Sequence, residues 1–339
     1  METITHDEVA GDFRTLALQV RAGGLLGRRP AYYWAKIALT LGAFAVGWAA
    51  FVGVSPSWVV LAVAAFLGLA SAQLGFLGHD AGHGQVFASR RGNDLLGLAI
   101  GNGLIGMSFG WWVTKHNAHH AHPNQVGRDP DVGLGLVGGS AGGGDQASRR
   151  GVAGWLDRWE VELFFPLMLL RSTGLYVSSI HDLIRRRDHD ALIEGLLIAV
   201  HWTLYLTVLF WALPPGEAVA FMVVHQAVFS VYLGCSFAPN HKGRPLIEDE
   251  SGMGFAQRQV ITARNVVGGR WIGFLLGGLN YQIEHHLFPT MPRANLCRAQ
   301  PLVRAFCVQS DFDYSEERPI GSYRMATRLP PQLAGAGGR

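Results

Sequence analysis

The sequence predicts an all-α integral membrane protein: four transmembrane helices in two hairpins, with a cytoplasmic helical cap holding a histidine-rich dinuclear metal site. Three observations predict it. Of 339 residues, 49% are apolar and only 16% charged, where a soluble domain carries about 25% charged. Four apolar stretches are long enough to cross a hydrocarbon core, which takes roughly 20 residues of helix. The 14 histidines gather in clusters at the ends of apolar segments. With a net charge of only +3, neither a disordered nor a nucleic-acid-binding chain fits. Cys235, Cys297 and Cys307 have no CxxC spacing, so neither a disulfide framework nor a thiolate zinc site is expected.

In chain order, residues 1–31 read as a cytoplasmic N-terminal segment. A membrane domain follows over 32–325, with spans at 32–51, 58–77, 191–213 and 218–238. The second and fourth spans carry no Asp, Glu, Lys or Arg. Lys36 and Glu194 lie near ends of the first and third, where a long side chain reaches the interface. None of the 28 basic residues falls in the hairpin loops 53–57 and 214–217. Arg14, Arg21, Arg28, Arg29, Arg185, Arg186, Arg187, Lys242 and Arg244 flank the other ends. The positive-inside rule then places both termini and the long central segment in the cytoplasm. Residues 97–113 are uncharged, but a crossing there would divide the histidines at 79–83 from those at 116–120. A membrane-surface or re-entrant segment is expected instead. Residues 161–180 and 271–279 read as interfacial helices, and 133–144 as a glycine-rich loop. Residues 326–339, with Pro330 and Pro331, read as a disordered tail. No cleavable signal peptide is expected. Only three of the basic residues are Lys, a GC-rich coding bias that points to a bacterial cell membrane.

The histidines carry the chemistry. His79-Asp-Ala-Gly-His83 follows the second span, His116-Asn-Ala-His119-His120 follows Trp111-Trp112-Val113, and Gln282-Ile-Glu-His285-His286 follows an interfacial segment. Spacings of three and four residues put side chains on one helix face. A lone histidine on an apolar face is usually a satisfied core residue; three clusters of matching spacing on one membrane face are not explained that way. Seven imidazoles exceed the four ligands of a tetrahedral ion and suit two ions. Imidazole binds Zn, Fe, Cu or Ni, so ligand type leaves the metal open. His201 and His225 lie within spans and are expected to hydrogen-bond between helices.

HDAGH, HNAHH and QIEHH, set around two hydrophobic hairpins, resemble the three histidine boxes of the membrane fatty acid desaturase family. The likeness runs from about residue 32 to 308. It includes residues 111–115, His122-Pro123-Asn124, Asp129-Pro130-Asp131, Asn280-Tyr281 and Leu287-Phe288-Pro289. Gln282, in place of the first histidine of the third box, is similar to the subgroup containing front-end and many bacterial acyl desaturases.

The resemblance implies a non-haem di-iron centre ligated by His79, His83, His116, His119, His120, His285 and His286. His241, beside Asn240 at the end of the fourth span, would fill out the sphere that Gln282 leaves one ligand short. Gln282 and Asn240 are weak ligands or hydrogen-bonding neighbours on this reading, and Asp80, Glu284 and Asp129 are expected to hold imidazole N–H groups. His122 is expected to face the same pocket without ligating.

The resemblance also implies O2 as co-substrate and a long-chain acyl group, carried on CoA or a lipid, as substrate. Residues 1–31 are too short for a fused cytochrome b5 domain, and no His-Pro-Gly-Gly motif, Rossmann fingerprint or iron–sulfur cysteine set is present. The expected partner is therefore a separate ferredoxin, or cytochrome b5 with its NAD(P)H reductase, docking at Arg185, Arg186 and Arg187. Two other readings stay open: a lipid hydroxylase or ketolase of the same superfamily, and a membrane zinc hydrolase. HDAGH lacks the glutamate base that the hydrolase's His-Glu-x-x-His would supply. A metal transporter, in turn, would carry its ligands at mid-membrane.

Overall fold

A computed structural model describes residues 6–132, 164–248, 252–328 and 333–334. The glycine-rich loop expected at 133–144 lies outside the described residues. Helices α1 (His6–Ala22), α2 (Pro30–Val54), α3 (Val60–Gly82) and α4 (Arg90–Leu98) lead into a π-helical segment, Ala99–Ile105, and α5 (Phe109–Ala121). Then come α6 (Phe164–Met168), α7 (Arg171–Arg185), α8 (His189–Ala212), α9 (Pro215–His241), α10 (Phe255–Ile261) and α11 (Gly269–Leu275). The short α12 (Gln282–Leu287), α13 (Arg293–Gln309) and α14 (Pro319–Arg328) complete the helices. Two two-residue parallel pairings, β1 (Leu246–Ile247) with β4 (Leu333–Ala334) and β2 (Asn265–Val266) with β3 (Glu316–Glu317), tie the cap loops together.

The four spans are α2, α3, α8 and α9. Leu192, Leu196, Val200 and Leu204 form an exposed stripe at four-residue spacing along α8, a surface that lipid covers and water would penalise. α3 is the most buried span and packs along both α2 and α9. It runs to Gly82, five residues past the expected end, so His79 lies within its last turn rather than beyond it.

The uncharged stretch bends back on itself. α4 with its π-helical extension meets α5 at 112°, and the turn is made at Gly106, whose φ is +81°. The histidines before and after this stretch come together, so its two ends lie close to one another. Glu194 departs from expectation: it is 3% exposed and turned inward onto this bend, accepting from Ser108 Oγ at 2.6 Å. The unpaired backbone donors at the bend draw it in.

The cap core joins distant parts of the chain. Leu16 and Val20 of α1 are buried with Val260, Ile283, Leu287, Leu296 and Val303, so the 1–31 segment contributes to the cap. α11 displays Trp271, 80% exposed, and Phe274, as an interfacial helix should. α14 runs to Arg328 and β4 pairs with β1, so helix and strand reach into the segment expected to be a tail.

α14 also repairs a helix. Pro239 lies inside α9 and has no N–H for the carbonyl four residues back. Tyr323 OH donates to that carbonyl, Cys235 O, at 2.6 Å. Tyr323→Phe strands the acceptor and is expected to lower stability by about 1–3 kcal/mol, measured by unfolding in detergent.

Candidate metal centre

Four elements supply the imidazoles. His79 comes from the last turn of α3 and His83 from its C-cap. His116, His119 and His120 share one face of α5, whose first turn is capped by Ser108 Oγ accepting from Trp111 N at 3.1 Å. His285 and His286 come from α12, and His241 closes α9.

They converge as two adjacent groups. The ligand atoms of His79, His83, His116 and His285 all lie within 4.8 Å of one another, as do those of His119, His241 and His286. His120 sits between the groups. Its ring stacks on that of His286 at 4.2 Å and meets that of His83 at 4.7 Å.

Protons alone cannot satisfy this arrangement. His116 Nε2 lies 3.1 Å from His79 Nε2, 2.9 Å from His83 Nε2 and 3.1 Å from His120 Nε2. A neutral imidazole nitrogen either donates one proton or accepts at one lone pair. Two nitrogens bound to one cation at roughly 2.0–2.1 Å sit about 3.3 Å apart in a tetrahedral set, close to the spacing seen. His285 Nε2 and His286 Nε2 are buried with no hydrogen-bond partner among the described residues. The donor set fits a pair of metal ions.

The outward nitrogens are fixed from behind. His119 Nδ1 lies 3.0 Å from both Asp129 carboxylate oxygens, His286 Nδ1 2.8 Å from Gln259 Oε1 and His241 Nδ1 3.0 Å from Thr262 O. Each contact assigns the proton to Nδ1 and leaves the Nε2 lone pair facing the centre. Burial, then the neighbouring imidazoles, push His83, His116, His120, His285 and His286 well below the ordinary histidine range, so they are neutral and available as ligands. Burial also disfavours the charged form of His119, but the Asp129 carboxylate outweighs it and the net shift is upward. Asp129 is itself held by Asn124 N at 2.7 Å and Asp131 N at 2.8 Å. Asp131 is matched by Lys115 and Arg171.

One expected imidazole partner is placed differently, and another is shared with a cation. Glu284 faces away from the centre, accepting from Tyr314 OH at 2.6 Å and Asn265 Nδ2 at 2.8 Å, and burial raises its pKa to about 7. One residue before His285 is about 100° around the helix, which puts its carboxylate on another face. Asp80 stands 3.5 Å from His79 Nδ1, but its closer partner is Arg293 at 2.7 Å. That guanidinium also donates to Phe76 O, so it braces the end of α3.

Gln282 Nε2 lies 3.0 Å from His241 Nε2, and Gln282 Oε1 accepts from Asn240 Nδ2 at 3.2 Å. Asn240 Oδ1 is buried without a partner among the described residues. His122 Nδ1 pairs with Gln125 Oε1 at 2.9 Å. His201 and His225 bind between helices as expected: the first to Gly103 O at 2.9 Å, the second to Tyr205 OH at 2.9 Å and Ser71 Oγ at 3.3 Å.

Sequence reasoning missed Gln259, the Thr262 carbonyl, Arg264 and Arg293. Arg264 is fully buried and donates to Pro239 O, Lys242 O and Gly243 O, a cation against the carbonyl end of α9 beside His241. No local pattern marks these residues. Trp112, stacked on His116 at 4.6 Å, falls in the quoted flank of the second cluster.

The fatty acid desaturase family profile matches residues 56–318, a range that holds all eight converging histidines. The chain belongs to the fatty acid desaturase family. It is similar to the Delta(5) fatty acid desaturase fat-4 of Caenorhabditis elegans, with 34% identity over 91% of this chain and 70% of that protein. It is also similar to a Delta(8)-fatty-acid desaturase of Helianthus annuus, 32% identical over 91% of this chain and 69% of that one. The Delta(6)-fatty-acid desaturase fat-3 of Caenorhabditis elegans is 30% identical over 92% and 72%. This desaturase is thus an oxidoreductase acting on fatty acyl groups, and with four apolar spans it is a multi-pass membrane protein.

Proposed function

We propose that this desaturase uses O2 and two external electrons at a di-iron centre to convert a CH2–CH2 pair of a long-chain acyl group into a double bond. The two electrons and two protons taken up, with the two hydrogens removed, reduce O2 to two waters. The observation that carries the reading is the meeting of two groups of buried imidazoles with His120 between them. His79, His83, His116 and His285 would hold one iron, and His119, His241 and His286 the other, with His120 beside both. Iron, when bound, supplies the oxidising power for an unactivated C–H bond that no side chain has. The chain's own residues set the geometry: Asp129, Gln259 and the Thr262 carbonyl hold three rings in one tautomer, and Trp112 fixes the plane of His116. Gln282 and Asn240 offer amides beside His241, as weak ligands or hydrogen-bonding neighbours.

The Delta(5), Delta(6) and Delta(8) names of its relatives support a double bond on the carboxyl side of an acyl chain carried on CoA or a lipid. Flanking basic residues support cytoplasmic termini and a cytoplasmic cap. Arginine-rich usage supports a bacterial cell membrane, although the relatives named above are eukaryotic. A separate ferredoxin or cytochrome b5 would bring the electrons. Arg186 is committed to Asp182, Asp188 and Glu194, which leaves Arg185 and Arg187 as the exposed cations of that loop.

Gas chromatography with mass spectrometry of lipids from expressing cells is expected to show a new double bond. An inserted hydroxyl or keto group instead would overturn the reading. Metal analysis of the purified protein is expected to give two irons per chain; one zinc would count for a hydrolase.

A further inference from the structure

We propose that Glu194, carried by a membrane span, is a positioning residue for the second histidine cluster. It acts by locking the first turn of α5. The inference rests on the metal-binding reading above.

A carboxylate inside an apolar span is costly unless its oxygens are matched, and here both are. Glu194 Oε2 accepts from Ser108 Oγ at 2.6 Å, Gly110 N at 3.0 Å and Asn102 Nδ2 at 3.3 Å. Oε1 accepts from Arg186 Nη1 at 3.2 Å. The same cluster satisfies the free donors at the start of α5. Phe109 N goes to Asn102 Oδ1 at 3.1 Å, Gly110 N to Glu194, and Trp111 N to Ser108 Oγ. A helix begins with donors that lack intrahelical acceptors and with a partial positive charge. This one has both answered by a single buried anion and its two neighbours.

The fit is close. A Cβ added at Gly110 would come 2.5 Å from Glu194 Oε1, so no larger residue fits without displacing the carboxylate. Further along α8, His201 Nδ1 meets Gly103 O at 2.9 Å and Trp202 Nε1 donates to Gly106 O at 3.2 Å. One face of the span thus fastens the whole bend.

The leverage follows from geometry. His116, His119 and His120 lie six to ten residues beyond Gly110, about 9–15 Å along a helix. A swing of about 5° at the first turn moves them by roughly 1 Å, while metal–ligand distances tolerate about 0.2 Å. Glu194 touches none of the imidazoles, so its effect reaches the centre only through α5.

The test uses the full-length protein purified in detergent. Glu194→Ala is expected to weaken iron binding by about 10–100-fold, the range seen when a group that orients ligands is lost. It is also expected to speed amide hydrogen exchange over 109–113 while α9 stays protected. Glu194→Gln, which keeps an acceptor for Ser108 and Gly110, is expected to recover part of both. Ser108→Ala removes two contacts, the donation to Glu194 and the acceptance from Trp111 N, but keeps the charge and the Gly110 bond, giving a smaller loss of the same kind and an independent test should Glu194→Ala not fold. Wild-type iron affinity with unchanged exchange in Glu194→Ala, or in Ser108→Ala where only that variant folds, would overturn the proposal, as would no recovery in Glu194→Gln. Iron binding that depends on Glu194 in a chain that makes no double bond would overturn the desaturation reading and support this one.

Discussion

His116→Ala is expected to abolish the double bond and to strip the purified protein of iron. This is the largest single-residue effect that the centre implies. His116 Nε2 is within 3.1 Å of three other imidazole nitrogens, and one face of its ring is stacked on Trp112. Alanine deletes a donor at the crossing of these contacts and opens a void beside the indole. The loss should exceed the ~10–100-fold cost of disturbing a group that merely orients a ligand. His120→Ala is expected to behave alike, because that ring touches both groups. Gas chromatography of the acyl products, paired with iron per chain, reads the outcome. Product within tenfold of wild type would remove the residue from the ligand set.

The second large effect is expected at Asp129, which touches the centre only through His119. Asp129→Asn keeps the shape but replaces one carboxylate oxygen by an NH2 group. That oxygen faces donors, since His119 Nδ1, Asn124 N and Asp131 N all point at Asp129. One of them must lose its acceptor, and the charge that favours Nδ1–H on His119 disappears. Iron affinity is expected to fall about 10–100-fold with the spans intact, measured by metal titration of apoprotein. An unchanged affinity would show that His119 needs no carboxylate behind it.

The histidine clusters were legible because helical spacing of three and four residues is a local property, and their convergence follows once both hairpins end on the same face. The spans were legible from length and apolarity, but their ends were not. Hydropathy falls at Gly78-His79-Asp80, while the backbone of α3 continues to Gly82. Glu194 was misread for a different reason: its acceptors serve residues 84 and 86 positions away, beyond the reach of any pattern along the chain. Glu284 was misread because adjacency in sequence is not adjacency on a helix face. Gln259 and the Thr262 carbonyl carry no signal at all, since a glutamine and a backbone oxygen gain their roles only when α10 is laid against α12 and the end of α9.

The joining of α1 to α13 in one apolar core has a consequence for how the enzyme is made. The two helices stand far apart along the chain, yet Leu16 and Val20 are covered by the same cluster as Leu296 and Val303. During synthesis from the N-terminus, α1 must wait exposed while both hairpins enter the bilayer. The later helices α12 and α13 then bring His285 and His286 with their own hydrophobic cover. Completion of the histidine centre is thereby a late event in folding, coupled to the meeting of two helices far apart in the chain.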